Sequence, residues 1–129
     1  MDARVEVLIV EDSEEFADRL FKMICGEPGL VVSGYATSSA EAIESIARQR
    51  PDLILLDLHL REGYGTTVLR MAKALNEPIT VIVVSGEDSQ IVRAHCEELG
   101  ADGFVAKCEA GSRLLPAIRD VLTRRSRRD

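Results

Sequence analysis

Five polar side chains stand where the apolar runs of this sequence end. Glu11 and Asp12 follow VEVLIV, Asp57 closes LILLD, Ser85 closes ITVIVVS and Lys107 closes GFVAK. Asp57 poses the sharpest chemical problem, because a carboxylate taken out of water without a partner is expensive. Acids placed like this are paired, metal-bound or at the rim of a core. If the five ends converge, three carboxylates share a small space and repel one another unless a cation lies among them. A hard divalent ion meets that need. Magnesium takes oxygen ligands in an octahedron, keeps several waters and is commonly held by one or two carboxylates together with a phosphate. The remaining groups suit the same chemistry: Lys107 is a mobile point charge for a phosphoryl oxygen, and the Ser85 hydroxyl with the Gly86 amide can donate hydrogen bonds to others. Asp57, on the most apolar run, is then the acid that can attack phosphorus and form an acyl phosphate. Phosphoryl transfer of this kind needs positioning and charge neutralisation, and no general base.

The elements that must position these groups can be read from hydrophobic periodicity. Runs rich in Val, Ile and Leu at 5–10, 30–36, 53–57, 79–85 and 103–107 read as strands, three of them almost continuously apolar, as in a parallel sheet covered on both faces. Between them lie helical spacings: Phe16, Leu20 and Ile24; Ile43 and Ala47; Val68, Ala72 and Leu75; Val92, Cys96 and Leu99. A fifth helix follows the last strand. Ser38 with Glu41 makes a capping box for the second helix, Pro51 and Pro78 separate helices from strands, and Gly100 stops the fourth helix. Pro116 either kinks the fifth helix or opens its regular part. The fold class is therefore α/β: a doubly wound five-stranded parallel sheet flanked by five helices, a three-layer α/β/α sandwich of flavodoxin-like type. In such folds functional groups collect beyond the carboxyl ends of the strands, near the topological switch point.

Here the sequence resembles the receiver domain of response regulators, the phospho-accepting half of two-component signalling and phosphorelays. The likeness rests on LIVEDS, DLILLDLHL, VIVVSGE and GADGFVAK, on the separations between Asp12, Asp57, Ser85 and Lys107, and it runs from Val5 to Leu122. It implies that Asp57 is phosphorylated and that Asp12, Asp57 and the backbone carbonyl of His59 bind Mg2+, with Glu11 helping through water and Mn2+ as an alternative ion. It implies that Ser85 and Lys107 hold the phosphoryl group and that Gly86 contacts it. Ser85 and Phe104 form the switch, and His59 and Glu87 tune the phosphoryl lifetime. The implied partners are a sensor histidine kinase or histidine phosphotransfer protein and a downstream effector or output domain. A homodimer through helix 4, strand 5 and helix 5 is a further implied use of the output face. The class implied is a signalling phosphoacceptor with self-phosphorylation and self-dephosphorylation chemistry, and no enzyme in the ordinary sense.

The sequence departs from that pattern in places. Cys108 follows Lys107 where proline is frequent, which argues against a cis peptide there. Arg61 replaces the proline often seen four residues after the acceptor, while Gly65 matches the glycine that opens the third helix. Phe104 lacks a tyrosine's hydroxyl, which leaves a steric switch.

Composition bounds the rest. The 129 residues, 46% hydrophobic, suffice for one domain over 1–129, with its core in 5–122 and residues 123–129 a basic tail or the start of a linker. A net charge of -6 argues against direct nucleic-acid binding by this domain, and no apolar stretch approaches the ~20 residues of a membrane span. Cys25, Cys96 and Cys108 are odd in number and form no C-x-x-C pair, which points to packing or surface roles in a reducing, cytoplasmic setting. His95 reads as an ordinary helix residue. Arg124, Arg125, Arg127 and Arg128 read as a solvated helix end complementing the helix dipole, or as a linker to an output domain. Three rivals are weaker. A haloacid-dehalogenase-type phosphohydrolase needs an acid where His59 stands, a flavodoxin-like cofactor binder is opposed by the acidic EDSEE loop, and a binding-only pseudo-receiver is opposed by the intact acid, hydroxyl and lysine set.

Overall fold

The computed structural model describes the backbone of residues 4–128 and the side chains of residues 4–126. Five strands alternate with five helices: β1 (Val5–Val10), α1 (Glu14–Cys25), β2 (Leu30–Ala36), α2 (Ser39–Arg48), β3 (Leu53–Leu56), α3 (Gly65–Ala74), β4 (Thr80–Ser85), α4 (Gln90–Glu98), β5 (Gly103–Ala106) and α5 (Ala110–Arg128). A 3-10 turn over Lys107–Glu109 joins β5 to α5. All strand pairs are parallel and the sheet order is β2-β1-β3-β4-β5. The chain thus leaves β1 toward one edge, returns, and builds the rest of the sheet on the other side. The switch point lies between β1 and β3, whose carboxyl ends lead into Glu11–Asp12 and Asp57.

Alternation along the strands divides the core into two layers. Leu8, Val10, Ile54, Leu56, Val81 and Val83 face α2, α3 and α4, whereas Val7, Ile9, Leu53, Leu55, Ile82 and Val84 face α1 and α5. Phe16, Leu20 and Ile24 are the buried face of α1, as their spacing implies, and Cys96 is the buried residue of α4.

Several local expectations need correction. In α2 the buried stripe is Ala42 and Ile46, whereas Ile43 is half-buried and Ala47 exposed. Both pairs satisfy an i, i+4 spacing, and only contact with the sheet chooses between neighbouring stripes. The capping box is also displaced. Ser38 Oγ accepts from Glu41 N at 3.1 Å, but Glu41 Oε1 accepts from the amide and hydroxyl of Thr37, both at 2.7 Å, instead of from Ser38 N. Strands β3 and β5 stop one residue short of the apolar runs, so Asp57 and Lys107 lie just beyond the ladder, and β4 begins at Thr80. Gly100, at φ 98°, stops α4 as expected. Helix α5 already runs from Ala110 and carries Pro116 inside it, so the proline does not open the helix and leaves the Ser112 carbonyl without an amide partner four residues on.

The tail is less solvated than its sequence suggests. Arg124 Nη2 donates to the Asp102 carbonyl at 2.9 Å and Arg125 Nη1 to the Asp52 carbonyl at 3.3 Å, so both fold back onto loops at the amino ends of the strands. The side chains of Arg127 and Arg128 lie outside the described residues. Cys25, Cys108 and His95 are exposed, and no peptide among the described residues is cis. No helix among them is long and apolar enough to cross a membrane.

Candidate phosphoryl and metal site

The β1 and β3 ends are locked together before any side chain acts. Asp57 N donates to the Val10 carbonyl at 2.9 Å and Glu11 N to the Ala36 carbonyl at 2.9 Å, extending the ladder one residue past the strands. Behind Asp57 the chain doubles back so tightly that Gly65 N donates to the Leu58 carbonyl at 3.1 Å. A Cβ on Gly65 would lie 2.3 Å from the Asp57 carbonyl oxygen and 2.6 Å from Leu58 Cα. Glycine therefore lets α3 start directly against the backbone of Asp57 and Leu58, where any side chain would force the backbone to move.

The side chains then converge. Glu11 is 3% exposed and Asp57 4%, and ligand oxygens of Glu11, Asp12 and Asp57 lie within 4.8 Å of one another. Lys107 Nζ stands 2.8 Å from Glu11 Oε1 and 3.3 Å from Asp57 Oδ2. The second oxygens face amides: Glu11 Oε2 accepts from Ser13 N at 2.9 Å and Asp57 Oδ1 from His59 N at 3.2 Å. Asp12 Oδ2 accepts from Arg61 N at 2.6 Å. Ser85 is fully buried at the end of β4, its Oγ accepting from Glu87 N at 3.0 Å, and Ser85 pairs in register with Ala106, next to Lys107. Gly86 lies beside the Lys107 stem, since a Cβ there would be 4.0 Å from Lys107 Cδ. Glu11, Asp12, Asp57 and Lys107 therefore form one cluster, with Ser85 and Gly86 on its β4 side.

Electrostatics mark the cluster as short of positive charge. Burial pushes the Glu11 carboxyl above its ordinary range despite the pull of Lys107 and the Ser13 amide, with Asp57 pushing the same way as burial. Burial alone would lower Lys107, but Glu11 and Asp57 outweigh it and hold the ammonium above its ordinary value. Lys107 pairs with Glu11 and Asp57, while Asp12 has only the largely exposed Arg61 guanidinium, at 3.8 Å, so three acids share two cations, one of them mostly in solvent. Moreover, Glu11 Oε1 is buried and has no aligned hydrogen bond, because its contact with Lys107 is close but poorly directed. An orphaned carboxylate oxygen within a cluster of hard oxygen donors fits a divalent cation of the magnesium class.

Sequence reasoning missed contacts that cross between elements. His59 Nε2 meets Glu87 Oε1 at 2.8 Å, bridging the β3 and β4 loops at the mouth of the site. The Phe16 ring lies under Lys107, with Nζ 4.7 Å from its centroid. Only the family resemblance singled out His59 and Glu87, and Phe16 carried no signal beyond core periodicity. Phe104 is partly buried against the α4 side of the core, with the Arg93 guanidinium 4.5 Å over its ring. It also lines a groove with Val105, Ser112, Arg113, Pro116 and Ala117.

Comparison with known proteins bears on this arrangement. The family model described as the response regulator receiver domain matches residues 7–119. The chain is 38% identical over 127 residues to protein-glutamate methylesterase/protein-glutamine glutaminase 3 of Geobacter sulfurreducens, which covers 96% of this chain and 33% of that protein. It is 37% identical over 118 residues to the sensory transduction protein RegX3 of Mycobacterium tuberculosis, covering 92% of this chain and 51% of that one. Among solved structures, the CheY-like receiver domain protein of Methanospirillum hungatei superposes with a TM-score of 0.85 at 27% identity, covering 98% of this chain and 100% of that one. The chain thus spans between a third and a half of these curated relatives. They also correct one expectation. The chain was expected to be no enzyme, yet relatives such as the methylesterase/glutaminase bear the names of enzymes, so a non-enzymatic class does not stand.

Proposed function

The chain belongs to the response-regulator receiver family, a component of two-component signalling, and on that premise we propose that Asp57 is its phosphoacceptor. The observation that carries the assignment is the gathering of Glu11, Asp12, Asp57 and Lys107 at the switch point between β1 and β3. Receiver domains of this family pair with histidine kinases and with output domains. Here the donor is a phosphohistidine of a sensor kinase or phosphotransfer protein. An Asp57 carboxylate oxygen attacks its phosphorus, an O–P bond forms, and the P–N bond to the imidazole breaks.

Each neighbour has a task in that transfer. The amide of His59 holds one Asp57 oxygen, which leaves the other to attack. Lys107, already 3.3 Å from Asp57 Oδ2, turns to a phosphoryl oxygen as charge builds there. Ser85 and the Gly86 amide take the remaining phosphoryl oxygens. Glu11, Asp12, Asp57 and the His59 carbonyl would hold Mg2+, or Mn2+ in its place. Such an ion, when bound, neutralises charge shared between the carboxylates and the phosphoryl oxygens. His59 and Glu87, paired across the mouth, set access of water to the acyl phosphate and so its lifetime.

The added phosphoryl carries roughly -1.5 to -2 charges if it behaves like other phosphorylated side chains. Movement of Ser85 and Lys107 toward it passes to Phe104 through β4 and β5, where Ser85 pairs with Ala106, next to Lys107, and Val83 with Phe104. The face of α4, β5 and α5 is then the output or dimer surface. Residues 5–122 act as one receiver unit, in a cytoplasmic setting. Incubation with acetyl phosphate and magnesium tests the assignment. Intact mass rises by one phosphoryl group in the unmodified protein and stays unchanged in Asp57→Asn; uptake by the variant sinks it.

A further inference from the structure

We propose that Phe16 is a positioning residue for phosphoryl transfer, its aromatic face holding the Lys107 ammonium against the acceptor; the proposal rests on Asp57 being the phosphoacceptor. Lys107 reaches the site on a flexible stem from the first residue of the 3-10 turn, and its side chain is 25% exposed. Nothing in the stem itself keeps the charge from swinging into water. Three groups do so: Glu11 at 2.8 Å, Asp57 at 3.3 Å and the Phe16 ring, whose centroid lies 4.7 Å from Nζ. That separation is within the range where a ring quadrupole attracts a cation, and the attraction grows with desolvation.

The ring is tied to the acids by the loop that follows β1. Glu11 Oε2 accepts from Ser13 N at 2.9 Å, and Ser13 Oγ accepts from Phe16 N at 3.3 Å as the cap of α1. Any shift of Glu11 is thus passed to the start of the helix that carries the ring. Phe16 is 8% exposed and packs with the α1 and α5 side of the core, while the Arg19 guanidinium lies 5.3 Å from the ring centroid. A purely apolar residue would fill the same space. It would not hold a charge. When the acids exchange their contacts with Lys107 for a cation and a phosphoryl group, the ring is the partner that stays unchanged, so the ammonium need not be recaptured from solvent.

The test compares Phe16→Leu and Phe16→Met, which keep an apolar side chain, with Phe16→Tyr, which keeps the face. Rates of acetyl phosphate uptake are read beside the proton spectrum of the Lys107 ε-methylene. Phe16→Leu and Phe16→Met slow uptake by about five-fold, and Phe16→Tyr stays within about two-fold of the unmodified protein. The ε-methylene is shifted upfield by the ring in the unmodified and tyrosine proteins and returns to its ordinary position in the other two. Equal rates in all four proteins, or an unshifted ε-methylene in the unmodified one, overturn the inference. If the unmodified protein takes up no phosphoryl group at all, the acceptor assignment falls and this role falls with it. Equal uptake by all four sinks only the role of Phe16.

Discussion

Asparagine at position 57 keeps the shape of the acceptor and removes one of three crowded negative charges. Divalent-cation affinity should fall roughly tenfold or more, since even partners outside the ligand set are worth that much in metal sites. The cation-free variant should melt no lower than the unmodified protein, because a like-charge repulsion has been relieved. Isothermal titration with magnesium and thermal melting in chelator check the two halves. Glu11 gives a pH signature of its own. Its folded-state pKa is raised, chiefly by burial, so the folded chain holds that proton more tightly than the unfolded one. Metal-free stability should therefore rise as pH falls from the folded value toward the unfolded one, about 4.3, before the other acids protonate. Cation affinity should fall over the same window, as protons compete for the carboxylate. Melting and titration at a series of pH values, with Glu11→Gln flattening both trends, provide the check. Lys107 has the same sense at higher pH: its raised value means that its ion-pair contribution is present below about pH 10.4 and is lost as pH rises through the folded value.

At the scale of elements, the acceptor loop and the start of α3 form one mechanical piece. Gly65→Ala places a methyl group within 2.6 Å of both the Asp57 carbonyl and Leu58 Cα, so backbone must move. The expected cost is about 1 to 3 kcal/mol of stability, as for overpacking elsewhere, together with slower phosphoryl uptake because Asp57 loses its direction. Denaturant unfolding and the acetyl phosphate assay read the two effects separately. Loss of stability with normal uptake would detach Gly65 from the site. The elements also show where sequence patterns stop short. Helix α1 was legible because Phe16, Leu20 and Ile24 offer one stripe only, whereas α2 offered two adjacent stripes and the sheet selected Ala42 and Ile46. The capping arm of Glu41 reached Thr37 because the residue before the cap presents both an amide and a hydroxyl.

For the whole molecule, a cation that binds the folded site and not the unfolded chain must stabilise the fold. Magnesium at a hundred times its dissociation constant should add about 2.7 kcal/mol, seen as a higher melting temperature that follows ion concentration. A melting temperature indifferent to magnesium would deny the site its ion. The parallel layered fold could be read from the sequence because continuous apolar runs leave few other ways to be buried. The polar residues that end those runs include Glu11, Asp12, Asp57 and Lys107, which the structure gathers into one cluster. Contacts that depend on two elements meeting did not show: Lys107 over Phe16, His59 against Glu87, and Arg124 and Arg125 folded onto the loops before β5 and β3. Each joins residues far apart in the chain, and no periodicity couples them.

The proposed chemistry attaches phosphorus covalently to Asp57. Borohydride reduces an acyl phosphate to an alcohol, so treatment after incubation with acetyl phosphate and magnesium, followed by peptide sequencing, reads the acceptor directly. The expected result is homoserine at position 57, dependent on magnesium. Reduction at Glu11 or Asp12 in its place, or an unreduced Asp57 in a protein that has gained phosphoryl mass, would contradict it.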